Sequence, residues 1–175
     1  TNQASQITAS AIVNARAESD LSSANHYSQA VAITNNVASN QVGIAARFAA
    51  AATTYYTYRI RLTAGTPNHR LAKMVAGALT ALLDDDVIDG LTSGDTIRVD
   101  IDGSTLIGKK NGTQILQVTD TAITGNLRTG LDGFANGANR IKWDNFEAAD
   151  LVAGGQPFNI RDSYALPDFV SATQL

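Results

Sequence analysis

The sequence predicts an all-β protein, folded as an antiparallel β-sandwich of about eleven short strands. Between Ile7 and Asp150, stretches of alternating or β-branched residues are separated at short intervals by Gly, Asn, Asp and Pro, which is the pattern of successive strands and turns. Asp102-Gly103 and Asn111-Gly112 are dipeptides of the kind that tight hairpin turns prefer. No repeat of roughly 20 to 50 residues occurs, which argues against a solenoid or a propeller.

Composition bounds the size of the protein and its partners. The 175 residues are enough for one domain with a proper core and too few for two large ones. A formal net charge of −3 provides no basic stripe, so nucleic acid is not expected as a partner. No apolar run approaches the roughly 20 residues that a membrane helix needs, so no membrane partner is expected. Cysteine is absent from the sequence, which excludes disulfides and thiolate-bound zinc.

Six strands are predicted before residue 90. They are Ile7–Asn14, Tyr27–Thr34, Val42–Ala49, Tyr55–Leu62, Arg70–Val75 and Leu79–Leu83. The polar stretch from Arg16 to Asn25 is expected to be a loop. The alanine-rich stretch Phe48–Thr54 would favour a helix by propensity, but a strand follows it at once, so we predict a loop or a strand end there.

Strict alternation in the predicted strand Tyr55–Leu62 indicates one buried face and one wet face. Tyr56 and Tyr58 would share the buried face, whereas Tyr55 and Arg59 would lie on the wet one. Tyrosine rings can stack on the apolar faces of sugars, although in a sandwich they more often fill the core or anchor an interface. Tyr55 and Arg59 are therefore the candidate carbohydrate-binding residues.

The stretch after residue 94 predicts a meander and a final strand. Strands Thr96–Ile101, Thr105–Lys109 and Gln114–Val118 are expected to pair through the two Asx-Gly turns. Trp143 is expected in the core because it shares parity with Ile141. Phe146 breaks that parity, which predicts a β-bulge near Asp144-Asn145.

The order of motifs in this second half resembles the concanavalin A-like lectin and glucanase jelly roll. The motifs are Asp102-Gly103-Ser104-Thr105-Leu106, Asn111-Gly112-Thr113, Val118-Thr119-Asp120, Gly125, Gly130-Leu131 and Trp143-Asp144-Asn145-Phe146. They are most similar to the laminin-G-like branch found in phage particle proteins and bacterial surface proteins. The resemblance implies a sandwich domain over residues 1–150 that is a glycan binder, a glycan hydrolase or a structural module.

One element of the resembled family is missing from the sequence. Its members usually open with a strand that carries an Asp-x-Phe pattern and pairs near the Trp-Asp-Asn-Phe strand. That pattern does not occur near the start of this chain. We therefore expect that the usual first strand is absent and that upstream residues or a neighbouring subunit cover the sheet edge.

The sequence does not indicate an enzyme. The glucanase branch carries a Glu-x-Asp-x-x-Glu pattern, whereas the glutamates of this chain, Glu18 and Glu147, stand in other contexts. Asp100 and Asp102 share a strand face, but Asp102 is better explained by the turn that it starts. With His26 and His69 as its histidines and no Gly-x-Ser-x-Gly motif, the chain does not fit a serine hydrolase either.

An acidic cluster provides the candidate metal ligands. Calcium takes six to eight oxygen ligands, and Asp84, Asp86 and Asp89 lie close together in the sequence. Laminin-G-like modules often carry such a site. The spacing matches no EF-hand loop, and a solvated turn is the alternative interpretation. We expect no other cofactor.

Residues 151–175 are predicted to form an extended C-terminal arm. The candidate interface residues in it are Phe158, Ile160, Tyr164, Leu166 and Phe169. Leaving such side chains in water forfeits about 1.5–3 kcal/mol each relative to burial, so a solvated tail is a poor description. The arm is expected to dock on its own sandwich or on another subunit.

Two functions from different classes follow. The first is a non-enzymatic structural module of a phage or similar particle, such as a decoration, capsid-stabilising, fibre or tail-associated protein, whose partners are other copies or other virion proteins. The alternative is a lectin-like adhesion module that binds surface glycans with or without calcium. Both place the protein on a virion or at an extracellular surface.

Overall fold

The computed structural model describes residues 4–5, 11–34, 40–51, 53–61, 68–85, 90–135 and 141–151. These residues form twelve strands and no helix, which confirms the predicted all-β class. The strands are β1 (Ala4–Ser5), β2 (Ala11–Arg16), β3 (His26–Thr34), β4 (Gln41–Phe48), β5 (Tyr55–Arg61), β6 (His69–Val75), β7 (Ala78–Asp85), β8 (Thr96–Asp102), β9 (Thr105–Lys110), β10 (Thr113–Thr119), β11 (Arg128–Ala135) and β12 (Ile141–Asp150).

The strands pair into two antiparallel sheets. The first sheet has the order β1-β12-β3-β8-β9-β10, and the second has the order β2-β11-β4-β5-β6-β7. In the second sheet β4 to β7 form an uninterrupted meander, and in the first sheet β8 to β10 form the predicted one. No helix that is long and apolar enough to cross a bilayer occurs among the described residues.

The core lies between the sheets and is built from alternate residues of their inner faces. Ile44, Tyr58 and Leu71 of the second sheet pack against Val99 and Leu106 of the first. The other buried members of this cluster are Ala30, Ala32, Val42, Ala46, Tyr56, Ile60, Leu91, Ile97, Ile101, Leu116, Ile123, Leu131 and Trp143. A side chain at Gly108 of β9 would meet the Tyr58 ring at 2.6 Å, so glycine is what admits this tyrosine.

Trp143 ties the two sheets together. Its indole is 3 % exposed, as the strand parity predicted, and its Nε1–H donates to the Gly43 carbonyl of the opposite sheet at 2.9 Å. The predicted bulge follows directly: Asp144 pairs with Val31 and Glu147 with Gln29, so two residues lie opposite one. The bulge leaves Phe146 exposed on the outer surface.

Two of the hairpin turns show how far the local sequence determines where a turn lies. Asn111 and Gly112 have φ of 50° and 79°, which fits the predicted tight turn between β9 and β10. The other turn is shifted by one residue, because Asp102 stays in β8 and pairs with Thr105. The Asn25 side chain holds it there: its amide donates to Asp102 Oδ1, and its oxygen accepts from the Gly103 N–H, both at 2.9 Å.

The expectation of a missing first strand is wrong. Ala4 and Ser5 form β1, which pairs with Trp143 and Lys142 of β12. Backbone hydrogen bonds are sufficient for this pairing, so it does not need the Asp-x-Phe side chains of the resembled family. The next described strand, β2, runs from Ala11 to Arg16 along β11, and the start predicted for it at Ile7 lies outside the described residues.

Two buried polar side chains, Arg47 and His26, close one end of the sandwich. The Arg47 guanidinium donates to three carbonyl oxygens, those of Ala24 at 3.1 Å, Ile123 at 3.0 Å and Gly103 at 2.6 Å. The Arg47 backbone N–H donates to Nε2 of His26 at 3.1 Å, and Nδ1 of His26 lies 2.9 Å from the Ser23 carbonyl. Nε2 therefore carries a lone pair and Nδ1 the proton, and burial lowers the pKa of this neutral histidine.

The described part of the chain ends at the same end of the sandwich. Leu151 donates its backbone N–H to the Asn25 carbonyl at 2.8 Å, and Asp150 accepts the Ser23 N–H at 2.9 Å. The predicted interface residues Phe158, Ile160, Tyr164, Leu166 and Phe169 lie outside the described residues.

Candidate functional site

A row of aligned residues crosses the outer face of the second sheet, one from each strand. The pairing register places them side by side in the order Asn14, Asp132, Gly43, Arg59, Arg70 and Asp84. We call these six residues the transverse row. Five of them are polar or charged, and the sixth is a glycine at its centre.

The middle of the row is an ion pair that spans a whole strand. Arg59 on β5 reaches over β4 to Asp132 on β11, with Nε at 2.6 Å and a terminal nitrogen at 2.9 Å from the two carboxylate oxygens. Gly43 lies between them on β4. A Cβ there would come within 2.9 Å of both Arg59 Cγ and the Asp132 carbonyl oxygen. Glycine therefore provides the space through which the guanidinium passes.

Side chains of β5 donate the hydrogen bonds that the Asp132 carboxylate accepts. Besides Arg59, it accepts the Tyr55 hydroxyl at 2.9 Å and the Thr57 hydroxyl at 2.6 Å. These three donors alternate along β5 and so face the same way. Burial by itself lowers the pKa of Arg59, but the charge and hydrogen bonds of Asp132 outweigh it and raise that pKa. Burial and Asp132 also raise the pKa of Tyr55.

The expectation that Tyr55 and Arg59 lie on a wet face is wrong. Both residues do point away from the core, as the alternation indicated, but Tyr55 is 0 % and Arg59 2 % exposed. Tyr55 also belongs to a second apolar cluster on this outer face, with Ala45, Phe48, Met74 and Leu79. Asp132 was missed because nothing in the sequence links it to a strand 73 residues away.

The accessible end of the transverse row is the pair formed by Arg70 and Asp84. The Arg70 guanidinium donates to both oxygens of Asp84, at 2.7 and 2.8 Å, with the side chains 25 % and 36 % exposed. The hydrogen bond to Asp84 raises the pKa of Arg70. Since Arg70 lies directly opposite Arg59, two Arg–Asp pairs meet with their arginines side by side. Fixed donors and acceptors at a surface suit the paired hydroxyls of a sugar.

The structure describes one of the three predicted calcium ligands. Asp84 is the carboxylate held by Arg70, while Asp86 and Asp89 lie outside the described residues. Within the described ranges, no group of three or more His, Asp or Glu side chains is arranged to hold a metal ion.

Two of the acidic residues considered for catalysis, Asp100 and Glu147, are held by neighbours on the first sheet. Asp100 forms ion pairs with Arg98 and with Lys109, the latter at 2.5 Å, and is 4 % exposed. Glu147 accepts the Tyr27 hydroxyl at 2.5 Å and the Gln29 amide at 3.0 Å. Arg98 also covers the Tyr27 ring, 3.7 Å from its centroid. These contacts are typical of a structural network on a sheet surface.

A shallow cleft lies at the end of the second sheet. Its volume is about 180 Å³, and Phe48, Asn126 and Arg128 contribute to its walls. Arg128 forms an ion pair with Asp20 at 2.5 Å, and the two side chains are 27 % and 56 % exposed. The cleft is a second place where an Arg–Asp pair meets solvent.

Solved structures with a similar fold include a carbohydrate-binding module, a galectin and a glucanase. The carbohydrate-binding module CBM66 from Bacillus subtilis superposes with a TM-score of 0.65 at 10% identity, over 82% of this chain and 84% of that one. Caenorhabditis elegans galectin LEC-6 gives 0.53 at 9% identity, over 85% and 96%. A prokaryotic β-1,3-1,4-glucanase (lichenase) from a mouse hindgut metagenome gives 0.55 at 10% identity, over 79% and 71%.

At these identities the likeness shows the fold alone, which is a jelly-roll sandwich consistent with the concanavalin A-like type. No family model and no curated protein matches the sequence.

Proposed function

We propose that the protein is a non-catalytic carbohydrate-binding module that binds glycan on the outer face of the second sheet. The observation that carries the proposal is the transverse row, which ends in the exposed pair Arg70 and Asp84. The Arg70 guanidinium would donate to ring or hydroxyl oxygens, and Asp84 would accept sugar hydroxyls. The buried pair Arg59 and Asp132 would hold the neighbouring strands in place.

The spacing of carboxylates supports binding rather than hydrolysis. Glycosidases need two carboxyl groups about 5–5.5 Å or 6.5–9.5 Å apart. Asp132 and Asp84 are separated by four strand spacings, which amounts to about 19 Å. Asp132 is also committed to four hydrogen bonds. The acids described in the row therefore do not form a hydrolytic pair.

The fold likeness agrees with this function, since a carbohydrate-binding module and a galectin are among the similar structures. Binding of external glycans would place the protein on an extracellular or virion surface. Calcium dependence through Asp84, Asp86 and Asp89 stays a prediction. Calorimetry with calcium chloride tests this prediction. The Asp84→Asn variant should give a smaller heat of calcium binding than the unchanged protein.

The test is a glycan array followed by calorimetry on each hit. Arg70→Gln is expected to weaken binding at least tenfold. Arg128→Gln is the matched control, because it breaks another half-exposed Arg–Asp pair beside the cleft. A blank array overturns the function. Loss of binding in Arg128→Gln but not in Arg70→Gln overturns the assignment of the site to the transverse row.

The second candidate is the structural module of a phage or similar particle. The apolar arm with Phe158, Tyr164 and Phe169 favours it, because such a segment would bury these groups against virion partners or other copies. Native mass spectrometry of the protein from its source discriminates the two functions. A fixed ratio to a larger particle would favour the structural role, and a monomer that binds glycan would favour the module.

A further inference from the structure

The Asn111 side chain extends the ladder between β8 and β9 beyond its last backbone pair. The backbone register of these strands ends with Ile97 opposite Lys110. One step further, the Asn111 N–H donates to the Thr96 carbonyl at 2.8 Å, and the Thr96 N–H donates to Asn111 Oδ1 at 2.8 Å. Antiparallel strands normally exchange such a pair of bonds through backbone groups alone. The oxygen end of the Asn111 amide is therefore fixed to β8.

The nitrogen end of the same amide is fixed by Asp95. Asn111 Nδ2 donates to Asp95 Oδ1 at 2.7 Å. The other oxygen of Asp95 accepts the Thr92 N–H at 2.8 Å and lies 3.3 Å from Lys110 Nζ. Burial alone raises the pKa of Asp95, but the hydrogen bonds from Asn111 and Thr92 and the Lys110 ammonium outweigh it and lower that pKa. Both polar atoms of the amide are thus held by fixed partners.

Asn111 precedes Gly112, and an asparagine in this position can react with its own backbone. The Gly112 nitrogen bonds to Cγ of Asn111 while the Cγ–Nδ2 bond breaks, and Nδ2 leaves as ammonia with the proton of the Gly112 N–H. Water then opens the cyclic imide to aspartate or isoaspartate. Glycine leaves its nitrogen open to this reaction because it has no Cβ. Both residues are exposed, so water reaches the site.

We propose that Asn111 is a deamidation site of this protein and that Asp95 and Thr96 slow the reaction in the folded state. Ring closure requires the Asn111 side chain to turn toward the Gly112 nitrogen, which breaks its hydrogen bonds to both partners. The product carries a carboxylate where the amide was. A donor to Asp95 is then replaced by a second negative charge beside it. Deamidation therefore weakens the link between β8 and the β9–β10 turn.

The reaction at Asn111 can be measured separately from any other in the chain. The sequence contains a second Asn-Gly pair, Asn136-Gly137, which lies outside the described residues. Trypsin cuts after Lys110, Arg128 and Arg140, so the two pairs fall on different peptides. Peptide mapping by mass spectrometry, with fragmentation to locate the changed residue, therefore follows Asn111 alone.

The test compares the deamidation rate at Asn111 in the folded protein, in the protein unfolded by guanidinium chloride and in two variants. The folded protein should react at least about tenfold more slowly than the unfolded one, because the amide must first leave two hydrogen-bond partners. Asp95→Ala should raise the folded rate at least about fivefold, since Nδ2 loses a charged acceptor. Asp102→Ala is the matched control, because this turn aspartate accepts from Asn25. It should leave the rate unchanged.

The effect of the product is tested with Asn111→Asp. This variant should unfold at a lower denaturant concentration than the unchanged protein, because two carboxylates then face each other. Asp95→Asn/Asn111→Asp exchanges the amide and the carboxylate and should recover most of the lost midpoint. If Asp95→Ala does not fold, Asp95→Asn takes its place in the rate measurement and should also raise the rate.

Four results would overturn the proposal. An Asn111 that does not react in the unfolded chain would exclude the site. Equal rates in the folded and unfolded protein, or an unchanged rate in a folded Asp95 variant, would exclude the role of its partners. An equal rate increase in Asp102→Ala would mean that general loosening of the β8–β10 meander sets the rate.

Discussion

Arg59 and Asp132 form a bidentate ion pair across an intervening strand, and Gly43 on that strand makes the contact possible. The pair links β5 to β11, which are not hydrogen-bonded neighbours. It holds three strands of the second sheet in register from the outer side. The same carboxylate collects the hydroxyls of Tyr55 and Thr57, so one acidic residue organises the outer face of β5.

Replacing Gly43 by alanine should destabilise the protein by about 1–3 kcal/mol, because the new Cβ would overlap Arg59 Cγ and the Asp132 carbonyl. Urea unfolding of the variant measures the loss. Ala81→Val, on the exposed part of the same face, should change the free energy of unfolding by less than about 0.5 kcal/mol. Equal effects of the two substitutions would show that the space at Gly43 is not required.

Removing one partner of the Arg59–Asp132 ion pair should lower the free energy of unfolding more than removing both partners. Asp132→Asn leaves the Arg59 charge buried without its partner, and we expect a loss of about 3–5 kcal/mol. The double variant Arg59→Met/Asp132→Asn should be more stable than Asp132→Asn alone, because the uncompensated charge is gone. A double-mutant cycle on free energies of unfolding gives the coupling. Additive losses would contradict the account.

Stability should fall as the pH is lowered below about 6.5, the ordinary value for histidine, through His26. Burial lowers the pKa of His26 in the folded protein, so the unfolded chain binds a proton at a higher pH than the folded one. Lowering the pH therefore stabilises the unfolded chain relative to the folded protein. The loss is at most about 1.4 kcal/mol per pH unit and stops once folded His26 is protonated. Urea unfolding between pH 7.5 and 5 measures it. His26→Gln should show a flatter dependence, and parallel curves would exclude His26 as the cause.

Ala76 is expected to be a site where stability can be gained. It has φ of 49° in the turn between β6 and β7, followed by Gly77 with φ of 85°. Left-handed geometry is unfavourable for alanine, and asparagine followed by glycine is the preferred pair in such a turn. Ala76→Asn should therefore raise the free energy of unfolding by about 0.5–1 kcal/mol. Ala78→Asn, exposed at the start of β7, is the control and should give no gain.

The parts of the fold that were predicted correctly depend on neighbouring residues. The alternation in β5 predicted that Tyr56 and Tyr55 point to opposite faces of the sheet. The Asn111-Gly112 pair predicted the position of a turn, and the parity break at Phe146 predicted the position of the bulge. Each of these features is decided by the backbone geometry of a few adjacent residues, which is why the sequence carries them.

The parts that were missed depend on residues far apart in the chain. The face assigned as wet to Tyr55 and Arg59 is buried, and Asp132, from another strand, takes up the polar groups of both side chains. The turn after β8 shifted because Asn25 holds Asp102 in the strand. Alternation tells which side a residue faces, but not what lies against that side.

Trp143 gives the protein an optical reporter under its outer surface. The chain has one tryptophan, and its indole N–H is bonded to the carbonyl of Gly43, the central residue of the transverse row. Any change that moves β4 from the outside alters the surroundings of this single fluorophore. Its emission therefore follows events on the outer face of the second sheet without a dye, although the ring itself is in the core.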